Sequence, residues 1–446
     1  MISVLQRIAR VFLSGAAACI ALAGGSTAPA QVLPQQVRPQ AGPQQGPADP
    51  VTIALPPPGV QLPVDALMQD AGEYARQYGL TFDAAIHRMR AQGGSVAATD
   101  ALRATFADRW AGISIEHRPD YRIVVLLTGI EPVADQTIVA GGITVPIVFR
   151  TGAAATRETM LARISTYQAK IRASLPHPPG IGLDQRTGEM VVVISSADTD
   201  LDRGGALRER IAAMTAGPVR IDIADRAPVN MAVEASAANG GVVAVEGGAR
   251  VIGTVEGKRY ACTTGFVVTD GARNGVVTAA HCPDSLRYVD GARREWPLDF
   301  VGQWGWGYQD VQVNIVPGAS TPLGPLFYAD TAKTVVRPVT TWRYRTSTRA
   351  GDFVCHRGER TGYSCAQVAM VDFAPGGDLC GGACLPTWVA VEGPVCKGGD
   401  SGAPVFEGTT ALGLVKGGTY ARDGTCLMYY YMSTDYLPPG WTLVHQ

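Results

Sequence analysis

The cysteines of this 446-residue chain are confined almost entirely to its C-terminal part, because all but one of the nine lie between Cys262 and Cys426. An even number of cysteines in an exported chain is typical of a disulfide framework. Zinc binding at Cys380 and Cys384 is the alternative. However, no histidine lies near them, and no second close pair follows at the spacing of a zinc ribbon. We therefore expect disulfides in this part of the chain, and neither a metal nor a cofactor.

The first thirty residues, which contain the remaining cysteine, Cys19, are typical of a secretory signal peptide. Arg7 and Arg10 precede an apolar run over 11–25, and Ala-Pro-Ala at 28–30 supplies small side chains for a signal peptidase. The run is too short and too rich in small residues for a stable membrane span. A lipoprotein modified at Cys19 is the weaker alternative. We expect residues 1–30 to be removed, which leaves no membrane span and a secreted product, periplasmic or extracellular.

Composition divides the rest of the chain into four segments. Residues 31–63 form a linker rich in Pro and Gln, and residues 64–225 alternate helical and strand patterns without a cysteine, which indicates an α+β domain. Residues 226–246 are a connecting segment of small residues. Residues 247–446 carry short strands separated by Gly, Pro and Asp turns, which favours an all-β sandwich or barrel. The net charge of -1 gives no reason to expect a nucleic-acid partner.

Apolar periodicity predicts individual elements in both large segments. In the α+β segment we predict helices at 64–78, 81–92, about 156–174 and 204–215, and strands at 121–127, 144–149, 190–194 and 219–223. In the all-β segment we predict strands at 264–268, 275–279, 311–316, 367–371 and 412–416.

Ser401 lies in a glycine-rich heptapeptide, Gly-Gly-Asp-Ser-Gly-Ala-Pro at 398–404. Glycines allow backbone torsions that aim neighbouring N–H groups into one concavity, and the donors here would be those of Gly399 and Ser401. Such donors stabilise the oxyanion that forms when a serine attacks a peptide carbonyl. An ordinary glycine-rich turn is the alternative for this motif alone.

A serine nucleophile needs a base and a carboxylate that orients the base. His281 follows the apolar run 275–280 directly, so it stands at the end of a predicted strand. Asp310 opens the predicted strand 311–316, where a carboxylate can be held partly buried. Asp290 and Asp299 are rivals in plainer turn-like contexts. The three motifs together predict a catalytic triad of His281, Asp310 and Ser401.

These residues resemble the signatures of chymotrypsin-like serine proteases, with TAAHC at 278–282 and GDSGAP at 399–404. The flanking sequence is similar to the bacterial branch that includes α-lytic protease and the streptogrisins. The similarity covers roughly 247–440 and is supported by the stretches at 261–266, 355–365 and 411–418. The resemblance implies two six-stranded β-barrels with the active site in the cleft between them. It also implies polypeptide substrates, and we expect a monomer.

The same resemblance implies disulfide pairs. They are Cys262 with Cys282, Cys355 with Cys365 and Cys396 with Cys426, which leaves Cys380 for Cys384.

Residues 64–225 resemble the pro-segments of the same bacterial proteases, through the stretches at 80–85, 106–112 and 182–193. The resemblance implies an α+β pro-domain that assists folding of the slow-folding barrels, inhibits the enzyme and is later removed. The chain would then be a secreted serine endopeptidase that cuts itself between about 225 and 247. The alternatives are a non-catalytic binding module on a protease fold, and a surface-interaction domain at 64–225 that the protease releases.

Three departures from the bacterial pattern concern the nucleophile and its surroundings. Cys396 lies one residue closer to the serine than usual. Lys416 stands where the family has a serine beside the triad aspartate, so its ammonium either contacts Asp310 or reaches solvent. Asp400, expected to be buried, needs a cation, and we expect His356 or Arg357 to pair with it.

The resemblance places the substrate pocket at Lys397, Val415, Lys416, Gly417 and Gly418. The apolar residues and glycines favour a medium-sized apolar substrate side chain, whereas the two lysines make an acidic substrate side chain the alternative.

Overall fold

The computed structural model describes residues 59–230, 233–234, 246–290, 293–317, 323–393 and 395–446. All of them belong to one compact unit, Pro56–Gln446. The predicted signal peptide, most of the linker and most of the segment 226–246 lie outside the described residues. Within these ranges no helix has both the length and the apolar composition that crossing a membrane requires.

All α-helices in the described part of the chain lie before residue 216. They are α1 Pro63–Tyr78, α2 Phe82–Gly94, α3 Val96–Thr105, α4 Arg157–Ala173 and α5 Ala206–Thr215. Local sequence fixes several of their ends. Proline occupies the first turn of α1, Gly79 ends that helix in the left-handed region at φ 68°, and the hydroxyl of Thr81 caps α2.

The α+β part contains two β-layers. Its strands are β1 Trp110–Glu116, β2 Arg122–Thr128, β3 Gln136–Ala140, β4 Ile143–Ala153, β5 Gly180–Asp184, β6 Glu189–Ser195 and β7 Val219–Ala224. The first four form a sheet in the order β1-β2-β4-β3, in which β2 and β4 are parallel. The strands β5, β6 and β7 form a second layer, and α4 and α5 pack on it around Ile164, Ile211 and Val192.

Two strands of two residues each follow in the connecting segment, β8 Val229–Asn230 and β9 Val233–Glu234. The strands of the next part are β10 Arg250–Val255, β11 Lys258–Thr263, β12 Val267–Thr269, β13 Asn274–Thr278, β14 Leu286–Val289, β15 Glu295–Pro297, β16 Asp299–Trp304, β17 Val311–Ile315, β18 Leu326–Tyr328 and β19 Val336–Pro338. Together with β9 and with β27, Thr442–Leu443 near the end of the chain, this part forms two five-stranded sheets, ordered β15-β14-β10-β11-β9 and β16-β17-β13-β12-β27. They share a core that includes Val251, Val276 and Tyr288.

The last part of the chain contains eight strands, six of which close into a barrel. Its strands are β20 Thr341–Trp342, β21 Phe353–Gly358, β22 Gly362–Ala374, β23 Trp388–Glu392, β24 Pro404–Glu407, β25 Thr410–Tyr420, β26 Cys426–Ser433 and β27 Thr442–Leu443. The order β21-β24-β25-β26-β23-β22 returns to β21 through the β21–β22 pairing. The predicted fold class, an α+β region followed by an all-β double barrel, is confirmed.

The α+β part and the second barrel share one continuous sheet. β5 pairs antiparallel with β22, where Gly182 lies opposite Phe373. A Cβ at Gly182 would lie 2.9 Å from the Phe373 ring, so a side chain at this position would keep the two strands apart. The β5–β6–β7 layer thereby continues the sheet from the C-terminal end of β22, beyond the residues that close the barrel.

Each predicted helix has a counterpart among the observed helices, but α3, β1, β3 and β5 of the α+β part were not predicted. β1 and β5 contain glycine and β3 is largely exposed, so none of them shows the two-residue alternation that marks a half-buried strand. The strand predicted at 264–268 is displaced, because β11 ends at Thr263 and β12 begins at Val267.

Candidate active site

Strand pairing in the first barrel brings the predicted base and carboxylate together. His281 follows β13 and Asp310 precedes β17, and these strands pair antiparallel with Thr278 opposite Gln312. The residues beyond that pair, 281 and 310, therefore emerge at the same end of the sheet. Ser401 reaches the same place from the second barrel, in the turn before β24.

The imidazole of His281 bridges Ser401 and Asp310. Its Nε2 lies 2.7 Å from the Oγ of Ser401, and its Nδ1 lies 2.7 Å from the Oδ2 of Asp310. The backbone N–H of His281 also donates to Asp310 Oδ1, at 3.1 Å. Asp310 therefore holds both the ring and the main chain of the histidine.

The two rival aspartates are occupied elsewhere. Asp290 accepts hydrogen bonds from Arg294 and from the indole N–H of Trp296. Asp299 is an exposed residue at the start of β16. Neither carboxylate has a hydrogen bond to His281 in the structure.

Lys416 contacts the triad carboxylate. Its Nζ donates to Asp310 Oδ2 at 3.1 Å, and both side chains are buried. Burial alone would raise the pKa of Asp310, but the adjacent His281 and the ammonium of Lys416 outweigh it and hold that pKa well below its ordinary value. The Asp310 carboxylate is thus charged throughout the range in which the imidazole can act as a base.

The turn that carries Ser401 depends on glycine. Gly399 and Gly402 have φ values of 106° and 83°, which only glycine adopts without strain. A Cβ at Gly402 would lie 2.3 Å from the hydroxyl oxygen of Thr278, so this glycine also allows the two barrels to approach each other. Among the described residues, none accepts a hydrogen bond from the N–H of Gly399 or Ser401.

Thr263 at the end of β11 locks this turn to the first barrel. Its hydroxyl donates to the carbonyl of Gly399 at 2.7 Å, and its N–H donates to the carbonyl of Ser401 at 2.8 Å. The sequence interpretation missed this role, although Thr263 lies in the stretch at 261–266 that supports the resemblance. Thr263 and the hydroxyl of Thr278, which donates to the Thr263 carbonyl at 2.7 Å, fix the nucleophile relative to the histidine strand.

The predicted cation partner of Asp400 is not in contact with it. The buried carboxylate accepts hydrogen bonds from the N–H groups of Lys397, Arg360 and Thr361 and from the Thr361 hydroxyl, at 2.8–3.2 Å. Backbone donors in two turns therefore satisfy the charge, and a side-chain cation is not required.

His356 and Arg357 are both buried near this network. His356 reaches Asp400 only through Thr361, whose hydroxyl lies 3.3 Å from its Nε2. Burial lowers the pKa of His356, although the charge of Asp400 opposes the shift. Arg357 binds the carbonyls of Gly248 and Asp330 instead. The expected direct ion pair was wrong for both residues.

Four disulfides join the eight cysteines of the C-terminal part. The pairs are Cys262–Cys282, Cys355–Cys365, Cys380–Cys384 and Cys396–Cys426, the same pairs that the resemblance implies. Cys380 and Cys384 therefore have no thiolate to offer zinc. Among the described residues one group has the spacing of metal ligands, Asp70 with Cys355 and Cys365, but its sulfurs form a disulfide and Asp70 pairs with Arg337.

The residues assigned to the substrate pocket fall into two groups. Val415, Gly417 and Gly418 lie buried on β25, whereas Lys397 is exposed in the turn before the nucleophile. Since the ammonium of Lys416 contacts Asp310, it is not available to an acidic substrate side chain.

Comparisons with known proteins concern the fold. No protein-family model and no curated protein sequence matches the chain. Among solved structures, protease A of Thermobifida fusca is 23% identical, covers 46% of this chain and 100% of its own, and gives a TM-score of 0.37. The chymotrypsin of Cellulomonas bogoriensis is 20% identical, with coverages of 46% and 100% and a TM-score of 0.35.

A Nocardiopsis protease is also 20% identical, covers 43% of this chain and 93% of its own, and gives a TM-score of 0.34. The structural neighbours of the chain are thus bacterial chymotrypsin-like proteases, at about 20% identity over less than half of its length.

Proposed function

We propose that the chain is a secreted serine endopeptidase, made as a proenzyme that processes itself. The single observation that carries this proposal is the position of the His281 ring, with one nitrogen 2.7 Å from the Ser401 hydroxyl and the other 2.7 Å from the Asp310 carboxylate. A serine, an imidazole and a buried carboxylate in this order are the groups that acyl transfer through a serine ester requires.

The geometry assigns a role to each group. Ser401 Oγ attacks the carbonyl carbon of the peptide bond while His281 Nε2 takes its proton. The N–H groups of Gly399 and Ser401 stabilise the oxyanion, and Asp310 stabilises the imidazolium. The proton then passes to the amine that leaves, and the acyl group remains on Ser401. Water deprotonated by His281 releases the acyl group and restores the serine. No cofactor or metal is needed for these steps.

Residues 64–225 would serve this enzyme as an intramolecular folding aid and inhibitor. Their contacts with the second barrel support this role. In addition to the β5–β22 pairing, the Gln92 amide bonds both the N–H and the carbonyl of Phe353, at 2.7 and 3.0 Å. The buried Asp70 accepts a hydrogen bond from the N–H of Gly408, between β24 and β25, at 2.7 Å. Contacts of this kind bring together chain segments that are far apart in sequence. Bringing such segments together is the slow step in forming a barrel.

The four disulfides support secretion, because such bonds persist in oxidising compartments outside the cytoplasm. The signal peptide predicted at 1–30 accounts for the export.

Covalent labelling tests the proposed activity. A serine-directed peptide phosphonate should label the wild-type enzyme and should fail to label Ser401→Ala, while Ser285→Ala, a change at an exposed serine of the first barrel, should label normally. Equal labelling of all three proteins would contradict the assignment of the nucleophile. A correctly folded wild type that neither reacts with the phosphonate nor cleaves any peptide would instead support the non-catalytic binding module.

A further inference from the structure

Trp388, the first residue of β23, is the largest completely buried side chain among the described residues. It contacts two groups that in turn hold Asp310. The ammonium of Lys416 lies 4.9 Å from the centre of its ring, and its indole N–H donates to the carbonyl of Gly307 at 3.1 Å. The sequence interpretation assigned no role to Trp388, and the catalytic steps proposed above do not use it.

The ring of Trp388 supplies the second favourable contact of the Lys416 ammonium. The first contact is the hydrogen bond from Nζ to Asp310 Oδ2, at 3.1 Å, and no other residue of the described ranges accepts a hydrogen bond from this Nζ. Because Lys416 is only 1% exposed, its ammonium has lost its water, and indole is the aromatic ring that attracts a cation most strongly. Without the ring, the ammonium would be drawn away from Asp310 toward water.

The indole N–H of Trp388 restrains the chain that leads into Asp310. The carbonyl of Gly307, three residues before Asp310, accepts hydrogen bonds from this indole and from the N–H of Leu385, at 3.1 and 2.9 Å. A carbonyl with two donors is fixed more firmly than a carbonyl with one. The indole therefore limits the movement of the backbone from which the Asp310 side chain extends.

Both contacts of Trp388 act on one carboxylate. Among the described residues, the titratable groups in hydrogen-bond contact with Asp310 are His281, from the end of β13, and Lys416, from β25. We propose that Trp388 is a positioning residue for Asp310, because its ring keeps the Lys416 ammonium at that carboxylate. Trp388 thereby sets the pH range in which His281 acts as a base, which rests on the proposed peptidase activity. Trp388 itself has no hydrogen bond or ring contact with His281 or Ser401 in the structure.

The pH profile of kcat/KM separates this role from a purely structural one. Trp388→Met fills part of the space but removes both the ring and the N–H. The Lys416 ammonium should then neutralise Asp310 less, so His281 should stay protonated to higher pH. The acid limb of the profile should move to higher pH by a few tenths of a unit, and kcat should fall about 3- to 10-fold with KM nearly unchanged. Active-site titration corrects both constants for unfolded protein.

Two further variants separate the ring from the N–H. Trp388→Phe keeps a ring for the ammonium and loses only the donor to Gly307, so its kcat should fall while its acid limb stays near that of the wild type. Trp342→Leu, at an exposed tryptophan on β20, should change neither quantity. If Trp388→Met does not fold, Trp388→Phe still tests the proposal. An acid limb displaced as far as in Lys416→Met, or an unchanged kcat, would overturn it.

A double variant decides whether Trp388 acts through Lys416. In Lys416→Met there is no ammonium for the ring to hold, so the added Trp388→Met change should leave the acid limb where Lys416→Met alone places it. An equal shift in both backgrounds, or no shift in either, would overturn the proposal. Phosphonate labelling keeps this outcome apart from failure of the proposed function. A folded wild type that is not labelled and cuts no peptide refutes the peptidase activity, whereas an active enzyme with an unshifted Trp388→Met profile refutes only the role of Trp388.

Discussion

The Nζ of Lys416 lies 3.1 Å from the Oδ2 of Asp310, the oxygen that also accepts the hydrogen bond from His281. Both side chains are at most 2% exposed, and the ammonium lies 4.9 Å from the centre of the Trp388 ring. The Asp310 carboxylate is therefore shared between an imidazole and an ammonium group. The sequence left two alternatives for the Lys416 ammonium, contact with Asp310 or with solvent, and the structure shows the contact with Asp310.

Removal of this cation should change the pH dependence of catalysis. In Lys416→Met the stem still covers Trp388, but Asp310 has only His281 to neutralise it, which favours the protonated imidazole. Because the base must be neutral to act, the acid limb of the kcat/KM profile should move to higher pH by roughly half a unit to one unit. Steady-state kinetics on a peptide substrate, measured between about pH 4 and pH 9, determines this shift.

Lys258→Met provides the matched control, since Lys258 is an exposed lysine of the first barrel, at the start of β11. Its acid limb should coincide with that of the wild type. An unchanged profile in Lys416→Met would show that the ammonium does not influence the histidine.

The Thr361 hydroxyl should be needed to keep the Asp400 turn in place. It donates to the buried Asp400 carboxylate at 2.8 Å, next to the nucleophile. Thr361→Val removes this donor and should lower the free energy of unfolding by about 2 kcal/mol, with a several-fold lower kcat. Thr361→Ser keeps the donor and should restore both. Urea denaturation and active-site titration check these values, and a serine variant as impaired as the valine variant would refute the role of the hydroxyl.

A buried ion pair between the α+β part and the second barrel should stabilise the full-length chain. Arg157 donates two hydrogen bonds to Asp372, at 2.6 and 2.7 Å, and Arg345 contacts the same carboxylate. In a Ser401→Ala background, which prevents self-cleavage, Arg157→Met should lower the free energy of unfolding by about 3 kcal/mol. Arg203→Met, at an exposed pair with Asp200, should change it by less than about 0.5 kcal/mol.

The same pair predicts how acid affects the unprocessed chain. Burial would raise the pKa of Asp372, but the two arginines outweigh it and lower that pKa from 3.8 to about 2. A carboxylate with a lowered folded-state pKa stabilises the fold above its ordinary pKa, and this stabilisation is lost as the pH falls toward the folded-state value. Ser401→Ala should therefore lose stability between about pH 4 and pH 2, and the added Arg157→Met change should weaken this dependence. Parallel acid dependences for the two proteins would contradict the role of the pair.

The disulfides should differ in their effect on activity. Cys282 is adjacent to His281 and closes a loop over 20 residues with Cys262, whereas Cys380 and Cys384 are 4 residues apart. Replacing the first pair by serines should lower the free energy of unfolding by about 3 kcal/mol and remove most of the activity. Replacing the second pair should lower the free energy of unfolding by about 2 kcal/mol, with little change in kcat. Thermal unfolding and kinetics on both double variants check this order. A greater loss of activity from the Cys380 and Cys384 variant would reverse it.

Short motifs explain why much of the site could be predicted from the sequence. His281 and Ser401 each lie in a contiguous motif that by itself indicates their chemistry, and Asp310 directly precedes an apolar strand. The contact of Lys416 with Asp310 could only be stated as one of two alternatives, because a long flexible side chain does not reveal its direction in a strand pattern. The triad residues lie together in the structure as their motifs predict, and their catalytic roles stay a proposal.

Contacts between distant segments account for what was missed. Asp400 was assigned a cation because a buried carboxylate needs compensation, but the N–H groups of Arg360 and Thr361 supply it. A backbone N–H donor cannot be recognised from the identity of the residue that carries it. The pairing of Arg157 with Asp372 joins positions 215 residues apart, so it depends on the assembled fold. The segment boundaries at 225 and 247 likewise stay predictions.

Expression of the full-length wild type beside Ser401→Ala, with mass spectrometry of the products, tests whether Ser401 matures its own chain. We expect the wild type to separate into a pro-domain and a protease fragment, cut within 226–246, and Ser401→Ala to remain a single chain over that segment. A Ser401→Ala chain that matures at the same site and rate as the wild type would contradict self-processing by this serine.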